Sequence, residues 1–105
     1  MKFGLKEEVI EKITRVIAGF AEVDEAVLYG SRAKGNHRPG SDIDLTLKGS
    51  ALDLSVLNRI SLRLDDLLLP YTIDLSIYHY IKDGDLLDHI SRVGVSFYKR
   101  NKATV

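Results

Sequence analysis

The sequence predicts a two-layer α/β (α+β) sandwich, a sheet with helices packed on one face, and three observations point there. Apolar residues recur with helical spacing in some stretches and with strict alternation in others. The two kinds of stretch follow in the order helix, strand, strand, helix, strand, helix. Each of the longer alternating stretches has one polar face, as in a sheet covered from one side. The uncovered face is where chemistry is expected.

Val9, Ile10, Ile13, Val16, Ile17 and Phe20 form one stripe of an amphipathic helix over about residues 6–20, with Glu7, Glu8, Glu11, Lys12 and Arg15 on the other side. Glu25 to Tyr29 reads as a short strand ending at Gly30. Ser31 to Lys34 has room for one helical turn, closed by Gly35, and residues 36–40 (Asn-His-Arg-Pro-Gly) are turn chemistry. Asp42 to Lys48 alternates, with Ile43, Leu45 and Leu47 on one face and Asp42, Asp44, Thr46 and Lys48 on the other. Leu54, Leu57, Ile60, Leu64, Leu67 and Leu68 mark a second long helix stopped by Pro70. Tyr71 to Tyr78 alternates again, with Asp74 on its polar face. A third helix starts near Asp83 or Asp85 and carries Leu86, Leu87, Ile90 and Val93 to Gly94. Val95 to Tyr98 adds a last short strand, and Lys99 to Val105 reads as a frayed tail.

The 105 residues make one domain, 1–105, with its core at about 6–98, and a chain of this size buries roughly 60–70% of its unfolded surface. No repeat, linker or low-complexity segment interrupts it. Apolar content of 45% with 29% charged residues fits a folded globule. The formal net charge is zero, so no bulk field draws the molecule to nucleic acid or an anionic membrane. There is no cysteine, which removes disulfides and thiolate zinc sites. The N-terminus lacks the apolar run of a signal peptide, and no stretch nears the roughly 20 apolar residues of a membrane span. A soluble protein of the cytoplasm is the expectation.

Asp42 and Asp44 are two residues apart on one strand, so both side chains leave the same face. If the strand bearing Asp74 is its neighbour, three carboxylates converge, and each raises the others' pKa unless a cation intervenes. An all-oxygen set favours Mg2+, or Mn2+, over zinc. Two ions about 4 Å apart would suit phosphoryl chemistry, with Asp42 and Asp44 bridging them. Asp74 would hold the ion nearer the nucleophile and is a candidate acceptor for its proton. Gly30 lets backbone N–H groups come close to an anion. Ser31, at the start of the short helical turn, adds a hydroxyl. Arg32 and Lys34 are candidates to neutralise a leaving pyrophosphate, in a loop that also holds His37 and Arg38; either is also explained as a surface charge.

Asp-X-Asp alone and Gly-Ser alone are weak signals; their order, with Asp74 following on a matching face, makes the combination informative. His37, His79 and His89 have no zinc-like spacing and read as surface or capping residues. Tyr78-His79-Tyr80 reads as strand-end packing before base stacking. The leucines of the second long helix read as core, and Lys99, Arg100 and Lys102 as a solvated end.

With Gly30-Ser31-Arg32-Ala33-Lys34-Gly35, then Ser41-Asp42-Ile43-Asp44-Leu45, then Ile73-Asp74-Leu75, the chain resembles the DNA polymerase β-like nucleotidyltransferase superfamily. The wording of the first segment and the short length are most similar to the minimal nucleotidyltransferases (MNT type) of bacteria and archaea. The resemblance covers about residues 6–98. It implies a palm-like mixed sheet with flanking helices and Mg2+-dependent transfer of a nucleoside monophosphate, AMP from ATP foremost, to a hydroxyl. It also implies a small helical HEPN partner, to whose tyrosine such transferases add AMP in toxin–antitoxin pairs. Two alternatives remain: an antitoxin that neutralises its partner by occlusion without catalysis, and a small-molecule (aminoglycoside-type) transferase. The acceptor, the base preference and self-association stay open.

Overall fold

Strand alternation decides how the layers stack. The computed structural model describes residues 1–101. In chain order it has α1 (Glu7–Ala18), β1 (Glu25–Tyr29), the one-turn α2 (Ser31–Lys34), β2 (Ile43–Lys48), α3 (Leu54–Asp65), β3 (Ile73–Ile77), a 3₁₀ turn (Tyr78–Tyr80), α4 (Gly84–Val93) and β4 (Val95–Lys99). No helix among the described residues is long and apolar enough to cross a membrane.

The ends of the helices follow local chemistry. Asp53 caps α3 by accepting the Val56 N–H at 2.9 Å, and Asp83 caps α4 by accepting the Asp85 N–H at 3.0 Å. α1 ends at Ala18, two residues before the expected end, with Gly19 as its C-cap. α3 stops at Asp65 rather than near Leu68, whose φ of 53° is left-handed and cannot continue a helix.

The four strands form one mixed sheet in the order β3-β2-β1-β4. β1 is antiparallel to both β2 and β4, while β2 and β3 are parallel and joined through α3. Ala26 and Leu28 of β1 and Ile43, Leu45 and Leu47 of β2 face Ile13 and Ile17 of α1 and Val56, Ile60 and Leu64 of α3. This is the main core, and its strand residues other than those of β3 and β4 are buried outright.

The fold class matches the expectation, with one qualification about covering. α1 and α3 lie on one face, but α4 lies on the other, its Ile90 packed against Val27 and Tyr29. β1 is therefore apolar on both faces, as an inner strand between two layers must be. The 3₁₀ turn, expected as the end of the third strand, also packs on this second face, through Tyr78. What remains uncovered there is the end where β2 and β3 begin.

Arg100 corrects a second expectation. Its guanidinium is half-buried and donates to the carbonyls of Phe20 at 2.8 Å and Val23 at 3.1 Å, and more weakly to Ala18 at 3.4 Å. Carbonyls at and just beyond a helix C-terminus lack intrahelical donors and attract a cation. Lys99 closes β4, and the rest of the expected tail, residues 102–105, lies outside the described residues.

Candidate active site

The end of β1 sets the geometry. After Tyr29 the chain must turn sharply into α2, and Gly30 takes φ 77° and ψ −158°, a conformation open essentially to glycine alone. A methyl group at this position would also overlap the Asp44 carboxylate. Gly35, at φ 83°, ends α2 with its N–H on the Ser31 carbonyl, so the Ser31–Lys34 turn forms as expected.

Sheet register brings the acids together. Asp44 sits opposite Tyr29 on β1 and opposite Asp74 on β3, so the three side chains form a row across the second face. The next row on that face is Val27, Thr46 and Ser76. Asp42 lies just before β2 and is exposed, as is Asp74, while Asp44 is half-buried. Among the described residues no three acidic or histidine side chains are already gathered tightly enough to hold an ion. Asp44 nevertheless responds to both neighbours: burial, then Asp74, then Asp42 push its carboxyl above the ordinary value of 3.8. Tyr29 is pushed above 10.0, first by burial; the nearby Ser76 hydroxyl offsets part of this, and Asp74 and Asp44 add to the rise. Ser76 stands close to the phenol without the geometry of a hydrogen bond, and both Ser76 Oγ and Thr46 Oγ1 are buried without a partner.

Such a row of mutually repelling oxygens, with unpartnered hydroxyls behind it, fits an oxygen-seeking cation such as Mg2+ or Mn2+. A hollow of about 740 Å³, lined by Asp24, Glu25, Lys48, Lys99, Arg100 and Asn101, lies at the opposite end of the sheet. It has none of these acids on its wall.

The basic candidates separate. Lys34 is exposed on α2 and available to an anion. Arg32 is not: it is 2% exposed, and its guanidinium is engaged on three backbone contacts. Nε and Nη2 donate to the Ser41 carbonyl at 3.1 and 2.9 Å, Nη1 donates to the Phe3 carbonyl at 2.9 Å, and the group lies 5.0 Å over the Tyr71 ring. The expectation of a phosphate contact at Arg32 gives way to a clamp that ties the loop before Asp42 to α2. A planar fork of donors suits this better than an ammonium.

His89, read from the sequence as a surface or capping residue, belongs to the site. Its Nε2 accepts the Gly30 N–H at 3.1 Å, and its ring meets Tyr29 edge-on with centroids 6.1 Å apart. Nothing in its spacing announces this; only the docking of α4 through the adjacent Ile90 brings it there.

The polymerase beta, nucleotidyltransferase family profile matches residues 11–103. Among solved structures, the chain is similar to one chain of a toxin–antitoxin complex with AMP-PNP, at 22% identity over 91% of this chain and 75% of that one, with a TM-score of 0.68. It is similar, at 16% identity over 91% and 74% with a TM-score of 0.67, to a chain of the tri-AMPylated Shewanella oneidensis HEPN toxin in complex with MNT antitoxin. A MntA-HepT toxin–antitoxin structure matches at 16% identity over 90% and 74%, also with a TM-score of 0.67. At these identities the likeness is one of fold. No curated protein sequence matches the chain.

Proposed function

The chain belongs to the polymerase beta nucleotidyltransferase family, and from that premise we propose that it is a single minimal domain, residues 1–105, that transfers AMP from ATP to a hydroxyl of a partner protein in the cytoplasm. The observation that carries this reading is the row across the sheet, Asp44 opposite Asp74 with Asp42 beside it, at the end of the strand that leads into the Gly30–Ser31 bend.

Asp42, Asp44 and Asp74 would hold Mg2+, or Mn2+. When bound, such an ion neutralises phosphate charge and favours the ionised form of an attacking hydroxyl. Ser31, through its N–H and hydroxyl at the start of α2, holds the triphosphate, and Lys34 offsets the charge of the leaving pyrophosphate. The acceptor oxygen attacks the α-phosphorus in line, the bond to pyrophosphate breaks, and the hydroxyl proton passes to Asp74, the exposed acid on the edge strand. Catalysis is then mainly positioning and charge neutralisation. Arg32 holds the loop that delivers Asp42.

The acceptor is a small helical protein of the HEPN type. The tri-AMPylated HEPN toxin in one structural relative supports this by analogy. The test is incubation of the purified chain with α-labelled ATP, Mg2+ and the helical protein encoded beside it. Label on a tyrosine of that protein is the expected result. Tight binding with no label would instead indicate occlusion, and label on an aminoglycoside alone a small-molecule transferase.

A further inference from the structure

Among the site's contacts, one reaches across 59 residues of sequence: the Gly30 N–H donates to Nε2 of His89 at 3.1 Å. We infer that His89 is a positioning residue for the phosphate cradle, holding the Gly30–Ser31 bend so that Ser31, rather than Gly30, meets the nucleotide's phosphates. The inference rests on the nucleotide reading of the site given above.

Three observations carry it. Gly30 takes φ 77° and ψ −158°, one of many conformations open to glycine, so a contact is needed to hold it there. His89 supplies such a contact from a separate element. That element is itself anchored, because the neighbouring Ile90 is 4% exposed and packed on Val27 and Tyr29, and the His89 ring leans edge-on against Tyr29. Finally, an imidazole nitrogen that accepts an N–H carries no proton, so the other nitrogen holds it and the ring is neutral. The Gly30 N–H is thus taken by a protein acceptor. A phosphate at this bend is left with the Ser31 N–H and hydroxyl. His89 touches no reacting atom in this scheme; it acts through Gly30.

Three proteins test this: wild type, His89→Leu, which removes the acceptor and keeps the bulk, and His89→Gln, which returns an acceptor at similar reach. The readouts are AMP-PNP affinity in the presence of Mg2+, amide exchange at Gly30 by NMR without nucleotide, and Tm. The expected result is faster Gly30 exchange and AMP-PNP binding weaker by roughly 3–10-fold in His89→Leu, the worth of one hydrogen bond. His89→Gln should restore both, and the loss in the leucine variant should fall on KM more than on kcat. Unchanged affinity in a folded His89→Leu protein overturns the inference, as does a loss that His89→Gln does not repair. Should the leucine variant not fold, the wild type decides by itself: a ¹⁵N–¹⁵N coupling across the hydrogen bond between Gly30 and His89 supports the tie, and its absence refutes it. Failure of the wild type to bind AMP-PNP at all would instead remove the nucleotide reading on which the inference stands.

Discussion

The two faces of β2 carry opposite commitments within six residues. Ile43, Leu45 and Leu47 enter a continuous apolar core against α1 and α3. Asp44 and Thr46, between them in sequence, enter a face where carboxylates confront one another and buried hydroxyls lack partners. The first face is close-packed and stabilises the chain; the second is under electrostatic and hydrogen-bonding tension when nothing is bound. The difference teaches that stability and reactivity are divided by strand alternation, not by distance along the chain.

The largest effect should come from the second face. Asp42→Asn or Asp44→Asn is expected to lower AMP transfer by at least about a thousandfold, near 4 kcal/mol of transition-state stabilisation, with circular dichroism unchanged. Transfer at wild-type rates in either variant would sink the catalytic assignment.

Next in size is the first face. Leu45 is fully buried, so Leu45→Ala should cost about 2–5 kcal/mol in denaturant unfolding. Its neighbour offers the sharper contrast: Thr46→Val keeps the shape and removes an unpartnered buried hydroxyl, so stability should stay level or rise by about 1 kcal/mol. A large loss in Thr46→Val would mean that this face is packed and satisfied like the other one.

Arg32→Lys probes the seam between bend and sheet. It should lower stability by about 1–3 kcal/mol, because an ammonium cannot reproduce the fork on Ser41 and Phe3, and it should raise the KM for ATP. Unchanged KM would show that the loop holds Asp42 without this clamp.

The smallest effect is the most diagnostic. The Asp44 carboxyl sits above 3.8 in the folded state, so the native chain binds that proton more tightly than the unfolded one. Its stabilising contribution is complete below 3.8 and fades as pH rises through the raised value. Metal-free Asp44→Asn should therefore match wild type at low pH and become slightly the more stable as pH climbs through that window, measured as Tm. Added Mg2+ should raise Tm for wild type and not for the variant. Equal Mg2+ response in both would place the ion elsewhere.

What could be read from the residues alone follows the same division. Alternation gave Asp44 and Asp74 matching positions on their strands, because a period of two is a local property of the chain. The α2 turn was legible between two glycines, one of which must bend and the other must close. Pairing of β2 with β3 was only a condition, and the ladder supplied it. Arg32 and Lys34 look alike in sequence; which one is buried depends on Phe3 and Ser41, whose carbonyls come together only after folding. Arg100 hid for the same reason, its acceptors lying near the end of α1. His89 was invisible because its partner is a backbone N–H with no side-chain signature, and α4 crosses to the second face only because β1 is apolar there.

The parallel ladder has one more outcome, for engineering. The alignment of Asp44 with Asp74 is written in strand pairing, so the path between the two strands can change length without moving either acid. Leu68, 88% exposed in the connection between α3 and β3, is a natural splice point for a reporter or a tether. A sensor built there would ride on the enzyme while leaving its working parts undisturbed.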